Sequence, residues 1–239
     1  MGDLPRRMPL GEEFWYFYQN YELPVEITSL PVVIPDYNND GTSDLVVALS
    51  LNSTETLKNN LIEVSMAILS GRNGKMDTHI VIQHCSLPID KLQLWKRNKK
   101  QTDILFYCVN DDGFGNLWSI SAEKLRSIAL KELSQNSSDF ERILKMEQPE
   151  KKQSKLHYLE MEKKDSNGQD ILVAWNDGNI ALLNGETKEE KWIGTTDNHG
   201  DIKAILSGKF SKMENIAVLI SSGETSGTTV SILTSNNIN

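Results

Sequence analysis

No apolar run in this chain exceeds the length of a β-strand, and most are closed by a glycine turn. The runs are Thr28–Ile34, Leu45–Ser50, Ile62–Leu69, Thr78–His84, Leu92–Trp95, Ile104–Val109 and Asn116–Ile120. They continue at Leu156–Met161, Asp170–Trp175, Ile180–Leu183, Glu190–Ile193, Ile202–Leu206, Ile216–Ser221 and Thr228–Leu233. Between them fall Asn73-Gly74, Asp112-Gly113, Asn167-Gly168, Asp177-Gly178, Asn184-Gly185 and Ser222-Gly223. One patch, Ala122–Leu133, has helical spacing. Short strands divided by Gly turns restrict the chain to an all-β sandwich, barrel or propeller.

Internal repetition selects the propeller. The clearest unit is Asp170–Trp192, in which a strand, an Asp-Gly turn, a second strand, an Asn-Gly turn and a third strand follow in order, with Trp192 at the end. A Trp there can wedge into the apolar gap between neighbouring blades. Weaker copies lie at Ala67–Lys75, Asn110–Trp118 and Gly11–Trp15. The expectation is one incomplete β-propeller domain over residues 1–239, built of four-stranded blades, about three full and others partial. Residues 11–15 read as the tail of a preceding blade, and the chain as stopping mid-blade. Residues 134–154 read as a polar loop, and the charge runs Glu147–Lys155 and Glu160–Asp165 as solvated loops.

One loop carries specific chemistry. Asp36, Asn38, Asp40, Thr42 and Asp44 place oxygen-bearing side chains at alternate positions, Gly41 sits where the chain must turn, and Asp44 leads directly into a strand. Hard cations such as Ca²⁺ take six to eight oxygens, and such spacing can wrap an ion. A helix-flanked EF-hand does not fit, because Val47 stands where that motif needs a bidentate Glu and the flank is strand-like. The plain alternative is an Asn/Asp/Gly turn. Calcium is the expected cofactor. Asp165–Asp170 has a similar flavour but is too short to enclose an ion.

A net charge of −8 disfavours a non-specific nucleic-acid binder, which needs clustered cations. The one compact basic run, Lys96-Arg97-Asn98-Lys99-Lys100 behind Trp95, reads as a solvated loop. No apolar segment approaches the ~20 residues of a membrane-spanning helix, and Arg6 and Arg7 are followed by no signal-like apolar stretch. Cys85 and Cys108 are compatible with one disulfide or with two buried thiols. Sequons at Asn52 and Asn136 are candidate glycosylation sites and lean toward a secretory compartment. His79, His84, His157 and His199 are scattered without metal-ligand spacing, and no nucleophile or phosphate-loop motif appears, so no enzymatic activity is expected.

At Asp36–Val47 the chain resembles the FG-GAP repeat of integrin-alpha propellers. The order of its parts is similar to the FG-GAP-repeat membrane proteins called family with sequence similarity 234: a Gly-Glu…Trp ending, the calcium-type loop, a Ser-Gly…Gly turn, then a Leu-Leu…Gly…Trp blade at Leu182–Trp192. The resemblance implies a non-catalytic propeller ectodomain of a single-pass membrane protein on the extracellular or lumenal face, presenting loops to a protein partner. Its membrane attachment would lie in a segment absent from this chain. A cytoplasmic scaffold propeller is the alternative. A quinoprotein-like enzyme, which shares the Gly-Trp blade pattern, is a further one.

Overall fold

The computed structural model describes residues 25–51, 63–129, 139–145, 156–162, 168–175, 178–195, 201–208, 216–223 and 227–233. They form sixteen strands and one helix. The first sheet holds β1 (Val25–Ile27), β2 (Val32–Ile34), β3 (Asp44–Leu51), β4 (Glu63–Leu69) and β5 (Met76–Val81). The second holds β6 (Leu92–Lys96), β7 (Thr102–Val109), β8 (Gly115–Ser121) and β9 (Glu141–Lys145), with helix α1 (Ala122–Ala129) between the last two strands. The third holds β10 (His157–Glu162), β11 (Gln169–Ala174), β12 (Asn179–Leu183) and β13 (Glu190–Thr195). The fourth holds β14 (Asp201–Gly208), β15 (Ile216–Gly223) and β16 (Gly227–Leu233). From β3 onward each sheet is an antiparallel meander in sequence order, the architecture of a propeller blade.

By contact, the chain divides into two compact units, Met1–Leu94 with Asp103–Pro149, and Trp95–Thr102 with Glu150–Asn239. In the first unit, the middle strand β3 is buried on both faces. Val46 and Ala48 join a core with Met66, Ile68, Ile80, Ile104, Phe106 and Ile120, while Val47 and Leu49 pack with Ala67 and Leu69 on the other side. A strand covered on both faces needs no polar alternation, which is why Leu45–Ser50 reads as a continuous apolar run. Each fully buried Ile, Leu or Phe contributes on the order of 1.5–3 kcal/mol. In the second unit, Leu172, Ala174, Ile180, Leu182 and Ile202 form a smaller cluster, with Trp192 half-buried against it.

The elements differ from the sequence expectation in three places. Of Thr28–Ile34 only Val32–Ile34 is strand (β2), and residues 28–31 separate it from β1 at Val25–Ile27. Between them the amide of Ala48 donates to Ser29 Oγ, and Pro31 has no N–H to give, so a side chain replaces the backbone ladder. Within 134–154, residues Glu141–Lys145 form β9 beside β8, with Phe140 and Ile143 buried. The charged residues Glu141, Arg142 and Lys145 disguise an outer strand as a loop. In the charge run Glu160–Asp165, residues 160–162 belong to β10. The helix ends its described course at Ala129. Residues 11–15, 134–138, 146–155 and 163–167 lie outside the described residues.

Cys85 and Cys108 are joined by a disulfide, Cα to Cα 5.3 Å, both buried in the core of the first unit. It ties the connection after β5 to the end of β7, and Ser86 reinforces it by donating its N–H and hydroxyl to Val109 O at 2.8 and 3.0 Å. The bridge closes a loop with a sequence separation of 23. Chain entropy then sets its contribution at about 3 kcal/mol. Replacing both cysteines by alanine should lower the unfolding free energy measured in urea by that amount without changing the sheet content seen by circular dichroism.

Candidate functional site

The loop between β2 and β3 is closed by its own side chains. Asp36 accepts the N–H groups of Asp40 (Oδ1, 3.1 Å) and Gly41 (Oδ2, 2.8 Å). Asn38 Oδ1 accepts the Asp40 N–H at 3.0 Å, and Asp40 Oδ1 accepts that of Thr42 at 2.9 Å. The second Asp40 oxygen takes the Ser70 hydroxyl at 3.2 Å. Asn39 and Gly41 stand at φ of 60° and 87°, left-handed conformations that Asn and Gly tolerate best.

The loop is also anchored from outside. Tyr37 is buried in the core of the first unit, and its carbonyl accepts the Nε of Arg126 from α1 at 2.9 Å. Asp44, with no solvent exposure, accepts the N–H of Tyr37 (Oδ2, 2.8 Å) and that of Gly71 (Oδ1, 3.0 Å). The donor chemistry of Asp36, Asn38, Asp40 and Thr42 suits a hard cation, since each oxygen holding one N–H keeps a second lone pair. Among the described residues, no three His, Cys, Asp or Glu side chains are placed to hold a metal ion.

Asp44 has counterparts. Asp170 opens β11 as Asp44 opens β3, and its Oδ1 accepts the N–H of Gly185 at 2.9 Å, the residue after Asn184 at the end of β12. A Cβ on Gly71 would overlap the carbonyl oxygen of Ser43, and one on Gly185 that of Gln169, so in both sheets the residue before the Asp meets the glycine. In the second sheet Asp103, 1% exposed, pairs with Ser121 and takes the Ser119 hydroxyl at 3.5 Å. Ala122, the first residue of α1, stands there where the others have glycine. Sequence reading assigned Asp44 to the metal and left Asp103 and Asp170 unassigned. The signal was present in Ser43-Asp44-Leu45-Val46, Thr102-Asp103-Ile104-Leu105 and Gln169-Asp170-Ile171-Leu172.

The other candidates are dispersed. His84 stacks on Trp118, centroids 5.1 Å apart, with the Arg142 guanidinium 6.0 Å from the same ring. His79 lies on β5 and His157 opens β10. Asn52, Asn136 and His199 lie outside the described residues. No helix among the described residues is long and apolar enough to cross a membrane.

Antiparallel four-stranded sheets, entered through a buried Asp and built in meander order, define an all-β propeller fragment. The chain belongs to the FAM234A/B beta-propeller family, whose model matches residues 8–237. Among solved structures, it is similar to a crystal structure of BBS1N in complex with ARL6DN soaked with mercury. There the identity is 12%, the TM-score 0.46, and the match covers 88% of this chain and 48% of that one. It is also similar to the same complex soaked with lead, at 15% identity and TM-score 0.43, over 89% of this chain and 64% of that one. The chain thus spans about half to two thirds of those relatives. No curated protein matches.

Asp44→Asn should cost about 2 kcal/mol in chelator, since it turns an amide toward the N–H groups of Tyr37 and Gly71. Gly185→Ala, which forces a Cβ into the Gln169 carbonyl, should cost a similar ~1–3 kcal/mol in thermal or urea unfolding.

Proposed function

We propose that this chain is the non-catalytic propeller of a single-pass membrane protein, displayed on the extracellular or lumenal side and presenting its loops to a protein partner. The buried Cys85–Cys108 disulfide is the observation that carries this reading. Such bridges persist in oxidising compartments and are rare in the cytosol, which counts against the cytoplasmic alternative. Membrane attachment rests on the family resemblance, and the sequons at Asn52 and Asn136 agree with a secretory route. When the chain is passed through a secretory pathway, an asparagine-glycan endoglycosidase should lower its mass. Loss of that shift in Asn52→Gln/Asn136→Gln assigns the glycans to these sites, and an unglycosylated, reduced native protein refutes the placement.

Non-catalytic presentation rests on the family resemblance and on a sequence whose histidines, His79, His84, His157 and His199, have no metal-ligand spacing. Within this reading, Asp36, Asn38, Asp40 and Thr42, with Asp44 behind them, hold calcium. Extracellular modules bind it at ~10⁻⁴–10⁻³ M, suited to a structural ion. Several millimolar calcium should then stabilise the protein by about 1–2 kcal/mol. Asp40→Ala, which also releases Thr42 and Ser70, should abolish that increment on top of a calcium-independent loss. Melting curves with calcium and with chelator decide it: superimposable wild-type curves remove calcium from the account.

A further inference from the structure

The basic run Lys96–Lys100 is an ordered hairpin tip. At its root Trp95, with no solvent exposure, donates its indole N–H to Gln169 O at 2.9 Å, and the N–H of Lys96 donates to Gln169 Oε1 at 2.9 Å. Gly168 lies so close to the Arg97 carbonyl that a Cβ would overlap it. At the tip, Asn98 Oδ1 accepts the N–H groups of Lys100 and Gln101 at 2.9 Å each, and the N–H of Arg97 donates back to Gln101 O. The Arg97 guanidinium sits 5.6 Å from the Trp95 ring centroid. Lys96, Lys99 and Lys100 are exposed. The ion pairs among the described residues run elsewhere, as Lys124–Asp139 and Lys191–Asp170, and no acid pairs with these three lysines.

We propose that this hairpin is a docking site for a sulfated polysaccharide of the glycosaminoglycan type. Three ammonium groups held on a fixed turn already have much of their ordering cost met by the fold. The exposed tip is wholly polar, because Trp95 is turned inward. It therefore lacks the apolar anchor of a protein hot spot and the apolar face of a membrane-inserting segment. What remains is recognition of a polyanion through charge, and short Lys/Arg-rich runs serve that purpose. The net charge of −8 does not prevent it, since exposed charges beyond ~8–10 Å are screened at physiological salt. Asp103, the acid nearest in sequence, is buried, and so is Asp170, which is paired with Lys191 at 2.7 Å. The choice of polysaccharide over nucleic acid rests on the extracellular or lumenal placement proposed above.

The test uses the full 239-residue chain on immobilised heparin, eluted with a sodium chloride gradient. The expected result is retention at physiological salt. K96Q/K99Q/K100Q should weaken binding to soluble heparin about tenfold, as the sum of three exposed ion pairs. It should also reduce the slope of log affinity against log salt by about 2–3. An unchanged melting curve for the variant would show that the loop, not the fold, was altered. Desulfated heparin should fail to bind. Flow-through of the wild type, full retention of the triple variant, or equal capture by polyglutamate, single-stranded DNA or phosphatidylserine vesicles would each overturn the proposal. Glycan and thiol analysis of the same secreted sample reads the compartment separately, so failure of one reading is distinguishable from failure of the other.

Discussion

A carboxylate buried at the mouth of a middle strand organises this protein. Asp44 and Asp170 each open such a strand and each accept the N–H of the glycine that leaves the next one, Gly71 and Gly185. A buried carboxylate without partners is costly, so strand register is constrained to deliver those donors. The register is the same in both sheets, Leu45 opposite Leu69 and Ile171 opposite Leu183, one position in from the Asp. Sliding either hairpin by one residue would strand the charge and also turn the apolar set of the strand to its other face.

Glycine completes the device for a steric reason. Its amide reaches the carboxylate only by bringing its α-carbon against the carbonyl of the residue before the Asp, where a side chain has no room. The second sheet solves the same problem differently, with Ala122 in place of glycine and a helix beginning there, while Asp103 turns to the Ser119 hydroxyl. That helix supplies Arg126, whose Nε holds the Tyr37 carbonyl of the first sheet's loop. The departure from the repeat thus serves the neighbouring blade.

The strands were legible because both-face burial writes them as plain apolar runs, as at Leu45–Ser50 and Ile104–Val109. Outer strand β9 was not, because an edge strand such as Glu141–Lys145 can be mostly charged and still pair. The break at Thr28–Pro31 was hidden because Ser29 supplies the acceptor that the backbone withholds. The residue types of the Asp36–Asp44 loop were visible in sequence, but the division of labour among them was not. Spacing shows that Asp44 can face an ion. It cannot show that the N–H groups of Tyr37 and Gly71 each take one bond on its two oxygens.

The loop that leads into β3 of the first sheet and the one that leads into β7 of the second carry opposite chemistry. It is acidic at Asp36–Asp44 and basic at Lys96–Lys100. Both loops are pinned at their roots, by Tyr37 and Asp44 in one case and by Trp95 and Gln169 in the other. Because the anchors satisfy the buried polar groups independently, exposed tip residues can change charge without disturbing register or core. A meander whose turns are stapled from within can therefore diversify its surface one loop at a time. In such a meander the buried carboxylates behind the loops carry stability, and the exposed tips are left free to vary.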